Sequence, residues 1–417
     1  GPDKKPVPGV KIPVLPPHEP LVPSPSAPPV TLPPAAPLSA WPQPGAGPRH
    51  DPGSVLLPPT LRESWRARIG AGGTYRRVLH VEPVIAAGMI FTMDGNGFVD
   101  AFSVESGSRI WRRTMRPKHD NSFAFGGGLA FDHGTLYVAT GFGQIRALDP
   151  ATGHVRWQKP LGQPARSAPT IGGGQIFLIL LDNTLLSLDA GNGAFNWRFP
   201  SGSSVNSMLG AGAPAYDRGI VTAGFGTGLL VGINAASGSP VWEQSLAAGY
   251  EADNPLNVSS ITANPLIIQG LVIATGLAGS TVAFDLRSGR RIWARSGGGS
   301  QTPAAAGDWL FLLTSGQHLA AIHVPDGAVG WVTQLPAFLH PKSDSGPLAW
   351  HGPLLAGNAL LLTGDDRRLL VVDAITGRIA SPPERSLKLN GPADLPPIAA
   401  AGKMFVLTRN AVLAAYS

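Results

Sequence analysis

The residue types that could do chemistry are few and badly spaced for it. His318 and His323 lie five apart, and alternation along a strand puts them on opposite faces, a poor arrangement for two ligands of one metal ion. The glycine-rich run Gly224–Gly228 would cradle a phosphate only if a helix followed it; none does, so it is expected to be a hairpin turn. Asp365 and Asp366 are expected in a solvated turn, and no Ser has a His and an Asp that the sequence can place beside it. There is no Cys, which excludes a thiolate nucleophile, a disulfide framework and a Cys-based metal site. No catalytic, cofactor-binding or metal-ligating residue is assigned.

What positions these residues is a repeat. Six segments each place a Gly four residues before a Trp: VESGSRIW ending at Trp111, PATGHVRW at Trp157, AGNGAFNW at Trp197, AASGSPVW at Trp242, LRSGRRIW at Trp293 and VPDGAVGW at Trp331; a seventh, AITGRIAS, has Ser381 in place of the Trp. The Gly residues recur about every 45 residues, the period of a propeller blade. Between them lie short apolar runs separated by Gly, Asn and Asp turns, clearest from Ala168 to Phe199, and no segment has the pattern of a helix. A Pro marks the entry of most first strands (Pro83, Pro169, Pro214, Pro265, Pro303, Pro353, Pro397), as expected of a residue without an N–H.

The last unit, ending at Ser417, lacks its Gly and Trp. The missing strand is expected near Trp65, one repeat before Trp111. The fold class is therefore all-β: an eight-bladed β-propeller of four-stranded antiparallel blades over residues 54–417, blade 8 closed by the strand around Trp65, with a proline-rich extended N-terminal segment. The Trp residues are assigned to packing rather than to a ligand. Asp149, Asp189, Asp285 and Asp373 sit in the repeat turns, where their carboxylates are expected to accept backbone N–H groups.

Residues 1–53 hold 18 of the 42 prolines and are expected to be an extended tether. The net charge of +6 is spread over the blades without a basic run interleaved with aromatics, so nucleic acid is not an expected partner. No apolar run approaches the ~18 residues of a membrane span.

Copies such as RALDPATGHVRW and VAFDLRSGRRIW resemble the propeller repeat of pyrroloquinoline-quinone (PQQ) dehydrogenases and, more closely, the BamB family of outer-membrane β-barrel assembly lipoproteins. The start DKKPVPG, the proline-rich stretch and AWPQPGAGPRH around Trp41 are similar to the mature start of the alphaproteobacterial members, after their lipidated Cys. The resemblance implies a noncatalytic scaffold at the periplasmic face of the outer membrane, reached through a lipid anchor. It implies the POTRA domains of BamA as partner, unfolded outer-membrane proteins as a further one, and no cofactor. A PQQ-dependent oxidoreductase and a periplasmic propeller binding another protein or polymer are the alternatives. Against the enzyme stand the absent Cys pair, the shorter chain and the placement of the Asp residues in turns.

Blade connectivity places the inter-blade loops on one face, and four are long: 117–127, 201–211, 247–262 and 336–352. They carry Phe123, Phe125, Met208, Leu209, Tyr250, Leu256, Phe338 and Trp350, expected interface anchors. Mapping the family's partner site onto this chain selects the segment Ser204–Pro214, with Asn206, Met208, Leu209 and Gly210, and the positions Ser260 and Thr262; Tyr250 and Leu256 of the long loops complete the expected contact. Leu209 stands where the family has Arg, and Ser260 and Thr262 near the family's acidic pair. The expected contact is therefore more apolar and less sensitive to salt.

Overall fold

A computed structural model of the chain describes residues 20–70, 81–122, 124–202, 211–246, 262–276, 279–380 and 386–417. Eight antiparallel sheets are arranged as blades. Seven have four strands and one has three, with an additional two-stranded hairpin (Phe338–His340 and Ser345–Pro347) in the last long loop. Blade 1 consists of Val84–Ala86, Met89–Met93, Phe98–Ser103 and Arg109–Thr114, paired in that order from the axis outward. Blade 8 pairs Ile398–Ala400, Lys403–Leu407 and Val412–Tyr416 with Glu63–Arg68, so the strand around Trp65 closes the ring as expected. Each first strand but those of blades 2 and 7 begins one residue after its Pro. Two three-residue 3-10 turns are the helical content of the described residues.

The repeated Gly and Trp do not serve the same blade. Each Trp, on the outermost strand, docks against the Gly turn of the next blade. A Cβ at Gly238 would come within 2.5 Å of the Trp197 ring, and one at Gly289 within 2.5 Å of Trp242. The same close approach joins Trp65 to Gly107, Trp111 to Gly153, Trp157 to Gly193, Trp293 to Gly327 and Trp331 to Gly377. The indole N–H then donates to the carbonyl three residues before that Gly: Trp65 to Val104, Trp111 to Pro150, Trp197 to Ala235, Trp242 to Leu286, Trp293 to Val324 and Trp331 to Ala374, at 2.7–2.9 Å. At the junction of blades 2 and 3 the matching carbonyl, Ala190, accepts from the Tyr137 hydroxyl instead, at 2.8 Å. Asp149, Asp189, Asp285 and Asp373 accept N–H groups two or three residues ahead and so hold the turns in shape.

One junction lacks this stitch. The third and fourth strands of blade 8 come from opposite ends of the sequence, paired through Arg62 and Ser417, so no Gly turn exists there to receive a Trp. The preceding blade has Ser381 at the Trp position, which lies outside the described residues, and three described strands. Asp365 and Asp366, expected in a solvated turn, belong to the polar contacts at this junction. Arg409 of blade 8 bonds Asp365 at 3.1 Å and Asp394 at 2.6 Å, while Asp366 pairs with Arg368. Their charges are matched rather than left to water.

The N-terminal segment corrects the expectation of an extended tether, because its described part lies against the propeller. Leu38 O accepts from Ala401 N of blade 8; Trp41 exchanges two bonds with Ile85 of blade 1; Pro42 O accepts from Phe131 N of blade 2. Gln43 brackets Ile171 of blade 3, Pro48 O accepts from Tyr216 N of blade 4, Arg49 O accepts from Ile267 N of blade 5, and Val55 N donates to Leu355 O of blade 7. The strap thus travels around the axis in blade order. The physical reason is that every innermost strand is an edge with unpaired N–H groups facing the channel, and proline-rich backbone offers carbonyls without needing acceptors in return. Trp41 and Val55 are buried in the core shared by blades 7, 8 and 1, and Val30 packs with Trp309 and Trp331.

The stitch predicts an energetic coupling. Trp197→Ala should cost about 3–5 kcal/mol, and Gly238→Ala roughly 2 kcal/mol more than Gly270→Ala, whose left-handed turn has open space around the Cβ position. In a Trp197→Ala background the extra cost of Gly238→Ala should shrink to near zero. Urea denaturation of the four proteins checks this, and additive effects would contradict it.

A blind funnel on the inter-blade loop face

The first strands converge on the axis, and the residues that lead into them line a cavity of about 470 Å³. First-to-second-strand turns and Gly turns lie on one face of the ring; second-to-third-strand turns and inter-blade loops lie on the other. Strap residues bond to inner strands beside the first-to-second-strand turns, so Trp41, Pro44, Gly45, His50 and Pro52 form the floor. The cavity is lined toward the loop face by Phe125, Arg166, Thr262, Gln301, Pro303, Asp394 and Leu395. It is therefore a funnel closed at one end by the chain's own N-terminal segment.

The wall is mostly apolar and small: Ala165, Ala168, Ala213, Ala263 and Ala304 alternate with Pro and Gly. Its polar groups are largely tied to the protein. Arg166 donates to Asn183 Oδ1 at 2.9 Å, and burial lowers its pKa. Asn264 accepts from Ala213 N, and its own N–H donates to Thr302, pinning blades 4, 5 and 6 together. Gln301 Oε1 accepts from Gly352 N at 2.9 Å.

Two floor groups have displaced proton affinities. His50 is 1% exposed, and burial lowers its pKa to about 4 although its bond to Pro265 O opposes the shift. The ring nitrogen facing that carbonyl, Nδ1 at 2.7 Å, must donate, so the neutral ring leaves Nε2 as a bare acceptor, and Nε2 is buried without a partner. Glu82 lies across the ring, on the lead into blade 1, and accepts Gly45 N–H at 2.9 Å; burial pushes its pKa up to about 7.

Of the sequence-predicted partner residues, Asn206, Met208, Leu209, Gly210, Tyr250, Leu256 and Ser260 lie outside the described residues, as does Phe123. Thr262 is described: it lines the funnel, and its hydroxyl is buried without a partner. Phe125, at the mouth, is 71% exposed. Trp350, expected among the exposed anchors, is instead 1% exposed, with its indole N–H on Pro336 O at 2.8 Å. Sequence reasoning missed His50 and Glu82 because the strap that buries them reads as a spacer. His351, Asp365 and Asp394 converge near the funnel edge, but the Arg409 guanidinium already bridges the two carboxylates and supplies the positive charge a cation would bring. His318 and His323 stay apart, the latter bonded to Asp326 at 2.8 Å, and Gly224–Gly228 is a hairpin turn.

Comparison with known proteins places this architecture. Residues 95–333 match the family model described as outer membrane protein assembly factor BamB. The assembly factor BamB of Yersinia pestis is 24% identical over 337 residues, covering 78% of this chain and 84% of that protein. BamB of Escherichia coli K12 is 24% identical over 306 residues, covering 72% and 76%. Among solved structures, BamB of Moraxella catarrhalis superposes with a TM-score of 0.67 at 17% identity over 86% of this chain and 98% of that one. The quinohemoprotein alcohol dehydrogenase of Comamonas testosteroni gives 0.68 at 15%, covering 92% and 81%. At such identity these two likenesses show the shared propeller alone.

The two floor groups predict opposed pH effects. Between about pH 4.5 and 7 folded Glu82 keeps a proton that the unfolded chain has released, so stability falls as pH rises through that window. Between about pH 6.5 and 4 folded His50 refuses a proton that the unfolded chain takes up, so stability falls as pH drops. Where the windows overlap the two slopes cancel. Glu82→Gln should therefore raise stability above neutrality by roughly 2 kcal/mol and uncover a loss on acidification from about pH 6.5 to 4.5. Denaturant titrations across that range measure both, and a variant with an unchanged pH profile would contradict the assignment.

Proposed function

Since the chain belongs to the family of outer membrane protein assembly factor BamB, we propose that it is a noncatalytic scaffold of outer-membrane protein assembly. It works at the periplasmic face of that membrane, held by an N-terminal lipid anchor, and binds the POTRA domains of BamA through its inter-blade loop face. Unfolded outer-membrane proteins are a further partner in this reading. The observation that supports the choice of face is the strap: it occupies the inner-strand edges on the opposite side, leaving the funnel mouth accessible.

The contact is assigned to Asn206, Met208, Leu209, Gly210, Tyr250, Leu256, Ser260 and Thr262. All eight are apolar or neutral; Leu209 stands where the family carries an Arg, and Ser260 and Thr262 lie nearest its acidic pair. Aromatic and aliphatic anchors dominate interface energetics, and an exchange of charge pairs for neutral groups removes most of the salt-dependent part. No arrangement of nucleophile, base and oxyanion donors is found among the described residues, and Arg166, Asn264, Gln301 and Thr302 of the wall are bonded within the ring.

The test is capture of partners from native envelope extract in mild detergent with the full chain as bait. Recovery of BamA is expected, little changed between low and physiological salt, and reduced about tenfold or more by Leu209→Asp, which buries a charge in an apolar contact. Absence of BamA, or binding that collapses as salt rises, would count against the reading.

A further inference from the structure

Positive charge that is spread along the sequence is gathered by the fold. The outermost strand of each blade has a free edge on the circumference of the disc, and on three consecutive blades that edge is basic: Glu63–Arg68 of blade 8, Arg109–Thr114 of blade 1 and Val155–Pro160 of blade 2. Arg68, Arg109 and Lys159 are exposed and make no ion pair among the described residues. Arg113 and Arg156 are exposed as well and donate to neutral oxygens, Thr152 O and Gly134 O, each at 2.9 Å. The carboxylates nearby are engaged: Glu63 pairs with Arg66, Asp100 with Arg112 and Asp132 with His133, and Glu105 is an exposed acid beside them.

Charge on an edge strand blocks pairing with other sheets, but that role needs no particular sign. Here the sign is uniform on neighbouring blades and does not extend around the ring. The corresponding strand of blade 4, Pro240–Ser245, carries Glu243, and that of blade 6, Val329–Gln334, has no charged residue. Among the basic residues stand two aliphatic side chains that are about half exposed, Ile110 at 48% and Val155 at 47%. The rim is convex, so a rigid partner would need a matching hollow. A bilayer needs none: long Arg and Lys side chains reach past the curvature to anionic headgroups, and half-exposed aliphatic groups enter the boundary beneath them.

We propose that the rim formed by blades 8, 1 and 2 is a docking surface for anionic phospholipid, on which the disc stands on its edge. This docking rests on the reading that the chain works beside a membrane, yet it uses neither BamA nor a lipid anchor. The propeller axis then runs parallel to the bilayer, and the inter-blade loop face opens sideways toward a partner in the same plane.

The experiment is flotation of the full chain with vesicles of phosphatidylcholine alone or with about one-third phosphatidylglycerol. Binding is expected to the anionic vesicles only, and to weaken steeply between low and physiological salt. Each basic residue at such a surface is worth about a fivefold gain in partition, so Arg109→Glu with Lys159→Glu should lower binding about tenfold or more. Arg287→Glu with Arg290→Glu makes the same change of net charge at exposed positions of blade 5, across the ring, and should leave binding within about twofold. Ile110→Ser with Val155→Ser should weaken binding without altering its dependence on salt. Equal losses from the two charge-reversed pairs would overturn the proposal, since net charge alone would then account for binding; so would equal binding to neutral vesicles, or none to either. Binding of poly-glutamate at this rim without binding of vesicles would assign an acidic protein instead and equally overturn it. Should a variant fail to fold, the two vesicle types and the salt series on the unaltered protein still decide. Capture of BamA from envelope is a separate readout, so either reading can fail alone.

Discussion

The docking of a tryptophan from one blade beneath a glycine turn of the next is the contact on which this molecule depends. A four-stranded blade has an apolar face on each side and cannot bury both alone, so the ring exists only if neighbours hold one another. The indole supplies the area, its N–H supplies a bond of defined direction, and the glycine supplies the space: a Cβ at Gly153, Gly193 or Gly377 would come within 2.5–2.7 Å of the ring of the preceding blade's Trp. The left-handed φ of these glycines, between 70° and 76° at Gly289, Gly377 and Gly153, is needed as well. Two separate requirements therefore select the same residue. This explains why Gly and Trp recur together along the chain although they act across different pairs of blades.

The ring also shows what happens where that contact cannot be made. Blade 8 joins strands from the two ends of the sequence and has no turn to receive an indole. The position that would have supplied one is Ser381. At this junction the holding role passes to Arg409 with Asp365 and Asp394, and to the strap, which bonds Ala401 on one side and Leu355 on the other. A directional apolar contact is replaced by charge pairs and by a segment that spans the gap.

Architecture was legible in the sequence because the stitch is local on each side: a Gly at fixed distance from a Trp, about 45 residues apart, specifies blade number and even the N-terminal strand at Trp65. The strap was not legible. Polyproline-type backbone makes no internal hydrogen bonds, so composition cannot distinguish a segment bound to strand edges from one in water. Its burial of His50 and Glu82 was hidden for the same reason. Trp350 was misplaced because an aromatic in a long loop carries no mark of whether it turns inward. Asp365 was misread because its partner, Arg409, lies 44 residues away. The partner residues Asn206, Met208, Leu209, Gly210, Tyr250, Leu256 and Ser260 lie outside the described residues, and their assignment rests on the family's site and on the reading of the long loops.

The strap also has a mechanical meaning. The described chain meets the propeller at blade 6, where Ser24 N donates to Val329 O, and only then winds inward to the axis. Tension applied upstream of Pro20 would therefore act on the circumference of the disc and tilt it, rather than pull along its centre. Detachment would proceed as peeling, one hydrogen bond at a time from Ser24 toward Val55, with each step handing the chain another few ångströms of slack. The closed end of the funnel would be among the last parts to open.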